Sequence, residues 1–250
     1  RSFHVGNYTA GVTVHTNGEV FASSSDGFVQ IFSEAGTAVR RIGSKGNGDG
    51  QFDYPWSLLL IGDRLYVSDN NLHRVQYFSA TTGQYIGQFG SNGNGNGQFS
   101  NPRGMSTDGK GNILVADFSN KRVQVFKDGT FVQVIQCDGN ATDVAVDNEG
   151  KIHITIWYQH HVQVFSPDGK TRLDTYYNNP AGNFNDPYGI AIDDEGYIFV
   201  SCNNGYLHVL SPDRKQVKLI SGLSNPWGVA LDKDGYIYVA EYGNKCITKY

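Results

Sequence analysis

The stretch GSKGNGDGQFDYPW, residues 43–56, returns 47 positions later as GSNGNGNGQFSNPRG, residues 90–104. Such an echo marks a chain built from one repeated unit. Working outward from it, six copies align, with inner strands beginning at Gly11, Ser57, Gly104, Asp143, Gly189 and Gly228. The gaps run from 39 to 47 residues, which is propeller spacing and not the period of helical solenoids. In a ring of such units function belongs to the loops, not to a conventional enzyme cleft.

The third unit shows the pattern most plainly. Met105 to Thr107 reads as a first strand, and Asp108-Gly109-Lys110-Gly111-Asn112 as a reversing turn. Ile113 to Ala116, Val123 to Phe126 and Phe131 to Ile135 then follow as strands, with Asp128-Gly129 turning the last hairpin. Asp-Gly and Gly-Asn pairs supply the positive φ angles of tight hairpins. The apolar runs are short and rich in Val, Ile, Phe and Tyr, which is strand chemistry. The chain is therefore expected to be all-β, one domain over residues 1–250. The architecture expected is a six-bladed β-propeller of four-stranded antiparallel blades.

The sixth unit stops after Cys246 to Tyr250, one strand short. Ser2-Phe3-His4-Val5-Gly6 matches the outer-strand endings Arg41-Ile42-Gly43 and Gln88-Phe89-Gly90. The N-terminal segment is thus expected beside Cys246 to Tyr250, closing the ring and hiding two strand edges. An arginine at position 1 suggests a domain cut from a longer chain.

Composition narrows the class. A net charge of −4 argues against general adhesion to nucleic acid or an acidic membrane. No apolar stretch approaches a membrane span, and no partnership with a membrane is expected. Cys137, Cys202 and Cys246 fit neither a disulfide framework nor a zinc site. They read as reduced, partly buried thiols of an intracellular protein, so a cytoplasmic location is expected. The tripeptides Asn7-Tyr8-Thr9 and Asn140-Ala141-Thr142 are formal glycosylation sequons of the kind chance supplies.

The segment Gly97-Gln98-Phe99-Ser100-Asn101-Pro102-Arg103-Gly104, followed by Asp108 to Phe126, resembles the NHL repeat. The resemblance extends over the whole chain. It is similar to the six-bladed NHL domain that ends many animal tripartite-motif (RING-type) ubiquitin ligases. That resemblance implies recruitment of proteins or binding of RNA, with ubiquitin transfer left to another domain. Asp69 with Arg74, and Asp117 with Arg122, match the family's acidic and basic residues around the loop between second and third strands. They are expected to form ion-pair clamps. The fourth, fifth and sixth units depart from it, with Ile156 and His161, Cys202 and Tyr206, and Glu241 and Cys246.

In a four-stranded blade the loops between second and third strands emerge on the same side as the interblade connections. On that side, immediately before the inner strands, stand Trp56, Arg103, Thr142, Tyr188 and Trp227. Its loops add Arg74, Phe118, Lys121, Arg122, Trp157, Tyr158, His160, Tyr206, Tyr242 and Lys245. All of these except Thr142 are candidate partner contacts, because aromatic and Arg residues dominate binding energy at interfaces. Trp56, Tyr188 and Trp227 have a second reading as partly buried seals of the blade junctions. The opposite side carries the acidic turns Asp147 to Gly150, Asp193 to Gly196 and Asp232 to Gly235.

Catalytic patterns do not emerge. The seven histidines are scattered over different units, and adjacent His160 and His161 are poorly placed to share a metal. No serine lies in a G-x-S-x-G elbow. Gly104 to Lys110 imitates a phosphate loop in spacing but lacks the following Ser or Thr and lies across a strand and its hairpin. No catalytic residue, metal or cofactor is expected. The expected activity is non-catalytic recognition of a protein partner or substrate through the loop-bearing face, within a larger ubiquitin-ligase-like protein. The alternative is sequence-selective binding of single-stranded or structured RNA by the same face.

Overall fold

The computed structural model describes residues 1–177 and 184–250. Six antiparallel four-stranded sheets stand around a central channel, each with its strands in chain order from the axis outward except the last. The inner strands are Val12–Val14, Pro55–Ile61, Pro102–Thr107, Ala141–Val146, Pro187–Ile192 and Pro226–Leu231. Each touches the inner strands on both sides, and the first meets the last. This is the expected propeller.

The last sheet runs Ser2–His4, Cys246–Lys249, Ile237–Glu241, Pro226–Leu231. Ser2 pairs with Thr248, Phe3 with Ile247 and His4 with Cys246. Phe3 is only 1% exposed, with ring centroids 5.6 Å from Phe32 of the first blade and 6.3 Å from Tyr238 of the sixth. The N-terminal strand therefore joins two blades as well as completing one. Its aromatic burial alone is worth about 1.5–3 kcal/mol.

Second and third strands are mostly buried, and Val20–Ser24 and Phe28–Phe32 are buried along their whole length. Each blade is packed against a neighbour on both faces, so these strands read as continuous apolar runs and not as alternation. Outer strands such as Ala38–Ile42 are largely exposed. The core therefore lies between blades. Leu114, Ala116, Val123 and Val125 of the third blade meet Val144, Ile154 and Phe165 of the fourth.

The recurring glycine-rich phrase is the joint between blades. In its first copy Gly46 and Gly50 take positive φ, and the Gln51 Oε1 accepts the Gly48 N–H at 3.1 Å. Gly93, Gly97, Gln98 and Gly95 repeat this in the second. Phe52 and Phe99 are fully buried beneath their loops. Gln76 Oε1 receives the Gly50 N–H and Gln124 Oε1 the Gly97 N–H, both at 2.9 Å.

The clamps differ from expectation in one blade. Asp117 and Arg122 do pair, at 2.7 Å, with the carboxylate fully buried. Asp69 and Arg74 do not form an ion pair. Asp69 accepts the backbone N–H groups of Asp53, Tyr54 and Leu72 at 3.0, 3.0 and 3.3 Å. Arg74 reaches instead to Gln88 Oε1 and the carbonyls of Gly48 and Gln51. Arg122 likewise holds the carbonyls of Gly95 and Gln98. Both arginines fasten the glycine loop, giving donors to the carbonyls of Gly48 and Gly95 and sharing those of Gln51 and Gln98 with the amides of Gln76 and Gln124.

Candidate functional site

At the loop-bearing end of the channel, one residue per blade stands just before the inner strand turns down. Ala10, Trp56, Thr142, Tyr188 and Trp227 line the channel, and Arg103 holds the same repeat position in the third blade, its guanidinium turned onto the rings of Phe118 and Trp56. In blades two to six the pairing register slips at that point, between Pro55 and Leu58, Pro102 and Met105, Ala141 and Asp143, Pro187 and Ile190, and Pro226 and Val229. A bulge bends the strand and re-aims the extra residue. The mouth side chains thereby gather over the channel instead of alternating into a blade face.

A second device holds their backbone. Hydroxyls on the second strands donate to mouth carbonyls of the next blade. Ser23 Oγ donates to the Trp56 carbonyl at 2.9 Å, Ser68 Oγ to Arg103 at 2.7 Å and Thr155 Oγ1 to Tyr188 at 3.0 Å. Ser201 Oγ does the same for Trp227. Each hydroxyl also accepts the N–H of the inner strand beside it, from Gly11, Ser57, Asp143 and Gly189. Interblade bonds thus fix the carbonyls of four mouth residues whose side chains are left to do something else.

Those side chains form an aromatic bowl. Trp227 stacks on Trp56 with centroids 4.7 Å apart, on Tyr188 at 4.8 Å and on Tyr242 at 3.9 Å. Tyr242 stacks in turn on Tyr8 at 4.5 Å, so the bowl bridges the seam between first and last blades. On the other side Trp157 lies 5.7 Å from Tyr188, 5.4 Å from Phe118 and 3.9 Å from Tyr158. Tyr158 is 61% exposed and forms the rim. Trp56 and Tyr188 are buried, while Trp157, Trp227, Phe118 and Tyr242 keep partial exposure. Below the bowl the channel holds a cavity of about 220 Å³, lined by the six inner strands.

One cation sits in the bowl. The Arg103 guanidinium carbon lies 3.4 Å from the Phe118 ring centroid, 4.3 Å from Trp56 and 5.5 Å from Trp157. Its Nε and Nη1 are buried without a hydrogen-bond acceptor. No carboxylate pairs with it within ion-pair distance among the described residues, and burial pulls its pKa down to about 10. Lowering of an arginine signals a charge kept from water, offset here by the phenols of Tyr188, which hydrogen-bonds it, and of Tyr54, together with the ring faces. Burial likewise pushes up the phenols of Tyr188 and Tyr54, which surround it. The indole N–H groups of Trp157 and Trp227 also lack acceptors.

Of the sequence candidates, Trp56, Arg103, Phe118, Trp157, Tyr158, Tyr188, Trp227 and Tyr242 meet in this bowl. Lys245 borders it, its Nζ 4.8 Å from the Tyr8 ring. Lys121 is exposed at a left-handed loop position. Arg74 and Arg122 are buried and occupied with loop carbonyls, so neither guanidinium is displayed on the face. His160 caps the next blade, its Nδ1 accepting the Asp186 N–H at 3.0 Å, as His73 does for Asn101. His161 turns instead to Asp138 at 3.2 Å. Tyr206 makes its ring contact with His208, at 6.2 Å. Sequence reading missed Tyr54 and Tyr8, which complete the bowl's wall, although Tyr54 stands two residues before Trp56 in the repeated phrase.

Beneath the bowl Asp143 occupies the position that is glycine or serine in the other blades. Its oxygens accept the N–H groups of Val144 at 2.9 Å and Ile190 at 3.0 Å. Space for it comes from Gly104, where a Cβ would fall 1.9 Å from the Asp143 carboxylate. Burial pushes this carboxyl up to about 7 despite the two donors. On the far face Asp147, Asp193 and Asp232 each accept backbone N–H groups two and four residues ahead, which builds their turns. Among the described residues no group of three or more His, Cys, Asp or Glu is placed to hold a metal ion. The three cysteines are buried and unpaired. Among the described residues no helix is long and apolar enough to cross a membrane.

The NHL repeat model matches residues 99–126 and 223–250, in the third and sixth blades. The chain is a six-bladed β-propeller, and two of its blades match the NHL repeat. No curated protein matches it significantly. Among solved structures, a streptogramin B lyase is 12% identical, with a TM-score of 0.73 over 100% of this chain and 96% of that one. Virginiamycin B lyase from Staphylococcus aureus is 11% identical, with a TM-score of 0.68 over 100% of this chain and 87% of that one. The WD40 propeller domain of Doa1 is 12% identical, with a TM-score of 0.71 over 96% of this chain and 78% of that one. At such identity the likeness is one of fold.

Proposed function

We propose that the chain is a non-catalytic recognition domain that binds a protein partner or substrate through the aromatic bowl. The observation that supports this most is the joining of side chains from five blades into one half-exposed aromatic surface, with all three tryptophans in it. Rigid aromatic groups around a partly desolvated arginine are the residues that anchor protein interfaces. The NHL resemblance supports placing the domain in a larger, cytoplasmic, ubiquitin-ligase-like chain in which another domain would transfer ubiquitin.

RNA is the second reading, favoured by the stacking surface. Charge speaks against it. Arg74 and Arg122 are withdrawn into loops, and Lys45 is paired with Asp53 at 2.6 Å. A phosphate backbone needs several cations along a groove. The test compares the native domain with Tyr158→Ala and Tyr242→Ala, and with Asp194→Lys on the far face. Each is used to capture proteins and RNA from an extract of the native organism at two salt concentrations. A protein retained by the native domain and by Asp194→Lys, but lost from both tyrosine variants, is the expected result. Loss only from Asp194→Lys would refute the face. RNA captured at low salt and released by a severalfold rise in salt would favour the second reading.

A further inference from the structure

We infer that Arg103 is the receptor for a single carboxylate of the partner protein, an Asp or Glu side chain or a C-terminus, inserted into the aromatic bowl. The inference rests on the protein-binding reading above and specifies its chemistry. A guanidinium presents two bidentate edges, Nε with Nη2 and Nη1 with Nη2. Here each edge contains a buried N–H group that has no acceptor, Nε on one and Nη1 on the other. Taking a charged group from water without an acceptor is costly, and ring faces recover only part of the cost. Structural arginines of the same molecule differ in degree: Arg74 and Arg40 also leave Nε without an acceptor, but only Arg103 leaves a terminal nitrogen bare as well. Arg122 meets Asp117 and two carbonyls, and Arg74 meets a glutamine and two carbonyls.

The rest of the site selects for one small anion on an apolar stem. The residue as a whole keeps partial exposure while Nε and Nη1 are buried, so a carboxylate entering past the rim at Tyr158 must part the rings that cover them. Phe118 and Trp56 lie against the guanidinium, and Lys245 at the bowl's border is held over the Tyr8 ring; two separate cations do not make the continuous groove that a repeating phosphate needs. The indole N–H groups of Trp157 and Trp227 are further donors without acceptors, suited to a peptide carbonyl beside the carboxylate. An acidic side chain flanked by apolar residues satisfies the cation, the indoles and the ring surface together.

All three tryptophans lie in the bowl, so their emission reads binding directly. The probes are acetyl-Phe-Glu-Phe-amide, its Gln isostere and a single-stranded octauridylate, titrated into the native domain and into Arg103→Lys and Arg103→Met. Saturable quenching by the Glu peptide is expected, with at least about tenfold weaker binding of the Gln peptide, the scale of a charge-assisted hydrogen bond. Arg103→Met should abolish that preference and Arg103→Lys should reduce it. Equal binding of the two peptides by the native domain, or no quenching by the Glu peptide, overturns the inference. So does a preference that survives in Arg103→Met, or binding of the octauridylate alone. Should Arg103→Met fail to fold, the Glu-to-Gln ratio on the native domain still decides. Equal peptide binding that remains sensitive to Tyr158→Ala would sink the carboxylate role and leave the protein-binding face standing. Binding indifferent to Tyr158→Ala and Tyr242→Ala would sink both.

Discussion

Removing Arg1 to Gly6 should strip the sixth blade of its outer strand and loosen the joint on which the bowl is built. The loss can be worked from the seam. Phe3 and Val5 are 1% and 2% exposed, and each forfeits about 1.5–3 kcal/mol of burial when deleted. The three register pairs with Cys246–Lys249 go as well, and the net worth of each ladder bond is about 1 kcal/mol. Together the deletion should cost at least about 5 kcal/mol. In a chain of this size each kcal/mol moves the midpoint by about 2–4 °C, so the expected fall is about 10–20 °C. Phe3→Ala alone should cost about 3–5 kcal/mol, as in other buried aromatic truncations. Ser2→Ala, on the exposed face of the same strand, should change almost nothing. Thermal unfolding should be followed by far-ultraviolet circular dichroism and by tryptophan emission in parallel. The two signals should fall together, because the Trp56–Trp227 stack and the Gly228 N–H to Ala10 carbonyl bond, 2.9 Å, both cross the closure. A deletion variant with an unchanged midpoint would refute the seam as the source of closure. Tryptophan emission lost well apart from the circular dichroism would refute the coupling of seam to bowl.

Asp117→Ala should lower stability by about 3–5 kcal/mol by denaturant titration, since it strands Arg122 and the Ser100 N–H in a buried loop. Tyr158→Ala, at an exposed rim, should stay within about 0.5 kcal/mol of the native protein, and a reversal of that order would undo the assignment of clamp and rim. Asp143, held at about 7, keeps a proton in the folded state that the unfolded chain has released at its ordinary value near 4. Its contribution to stability is therefore full below about pH 4 and lost as pH rises toward 7. Asp143→Ser, which installs the Ser57 side chain of the second blade, should narrow the midpoint difference between pH 5 and pH 8, and an unchanged difference would exclude Asp143 as its source.

The ring, the blade count and the closure were legible because each has a local signal that repeats. Glycines at fixed offsets, Asp-Gly turns and short β-branched runs report backbone geometry directly. The bowl was only half legible. That Trp56, Tyr188 and Trp227 share a repeat position could be read from alignment of the units, but their mutual stacking depends on the channel radius and on bulges that leave no residue signature. The Asp69–Arg74 pairing was misread for a related reason. The residues match a motif, yet which acceptor an arginine chooses depends on the carbonyls of a loop more than twenty positions away. The hydroxyls of Ser23, Ser68, Thr155 and Ser201 did carry a signal, since each directly precedes the position taken by Asp69 in the second blade. It passed unread because serine in a strand is unremarkable until its partners are known.

The separation of scaffold from content at the mouth explains how one repeat can carry five different residue types over six positions there. Their carbonyls are held by hydroxyls of neighbouring blades, and the bulge sets their direction. Exchange of the side chain therefore leaves the ladder intact. Alanine at position 10 and threonine at 142 do not fill their share of the mouth, and Trp56 and Trp227 close over Ala10. Arg103 is the one charged mouth residue, and this closure leaves its Nε and Nη1 unsatisfied, as it does the Trp227 indole N–H. A propeller needing only a plug would be better served there by a fourth aromatic ring, which carries no charge to desolvate. The cost of holding a guanidinium among rings makes sense if a carboxylate from another molecule offsets it when the two meet.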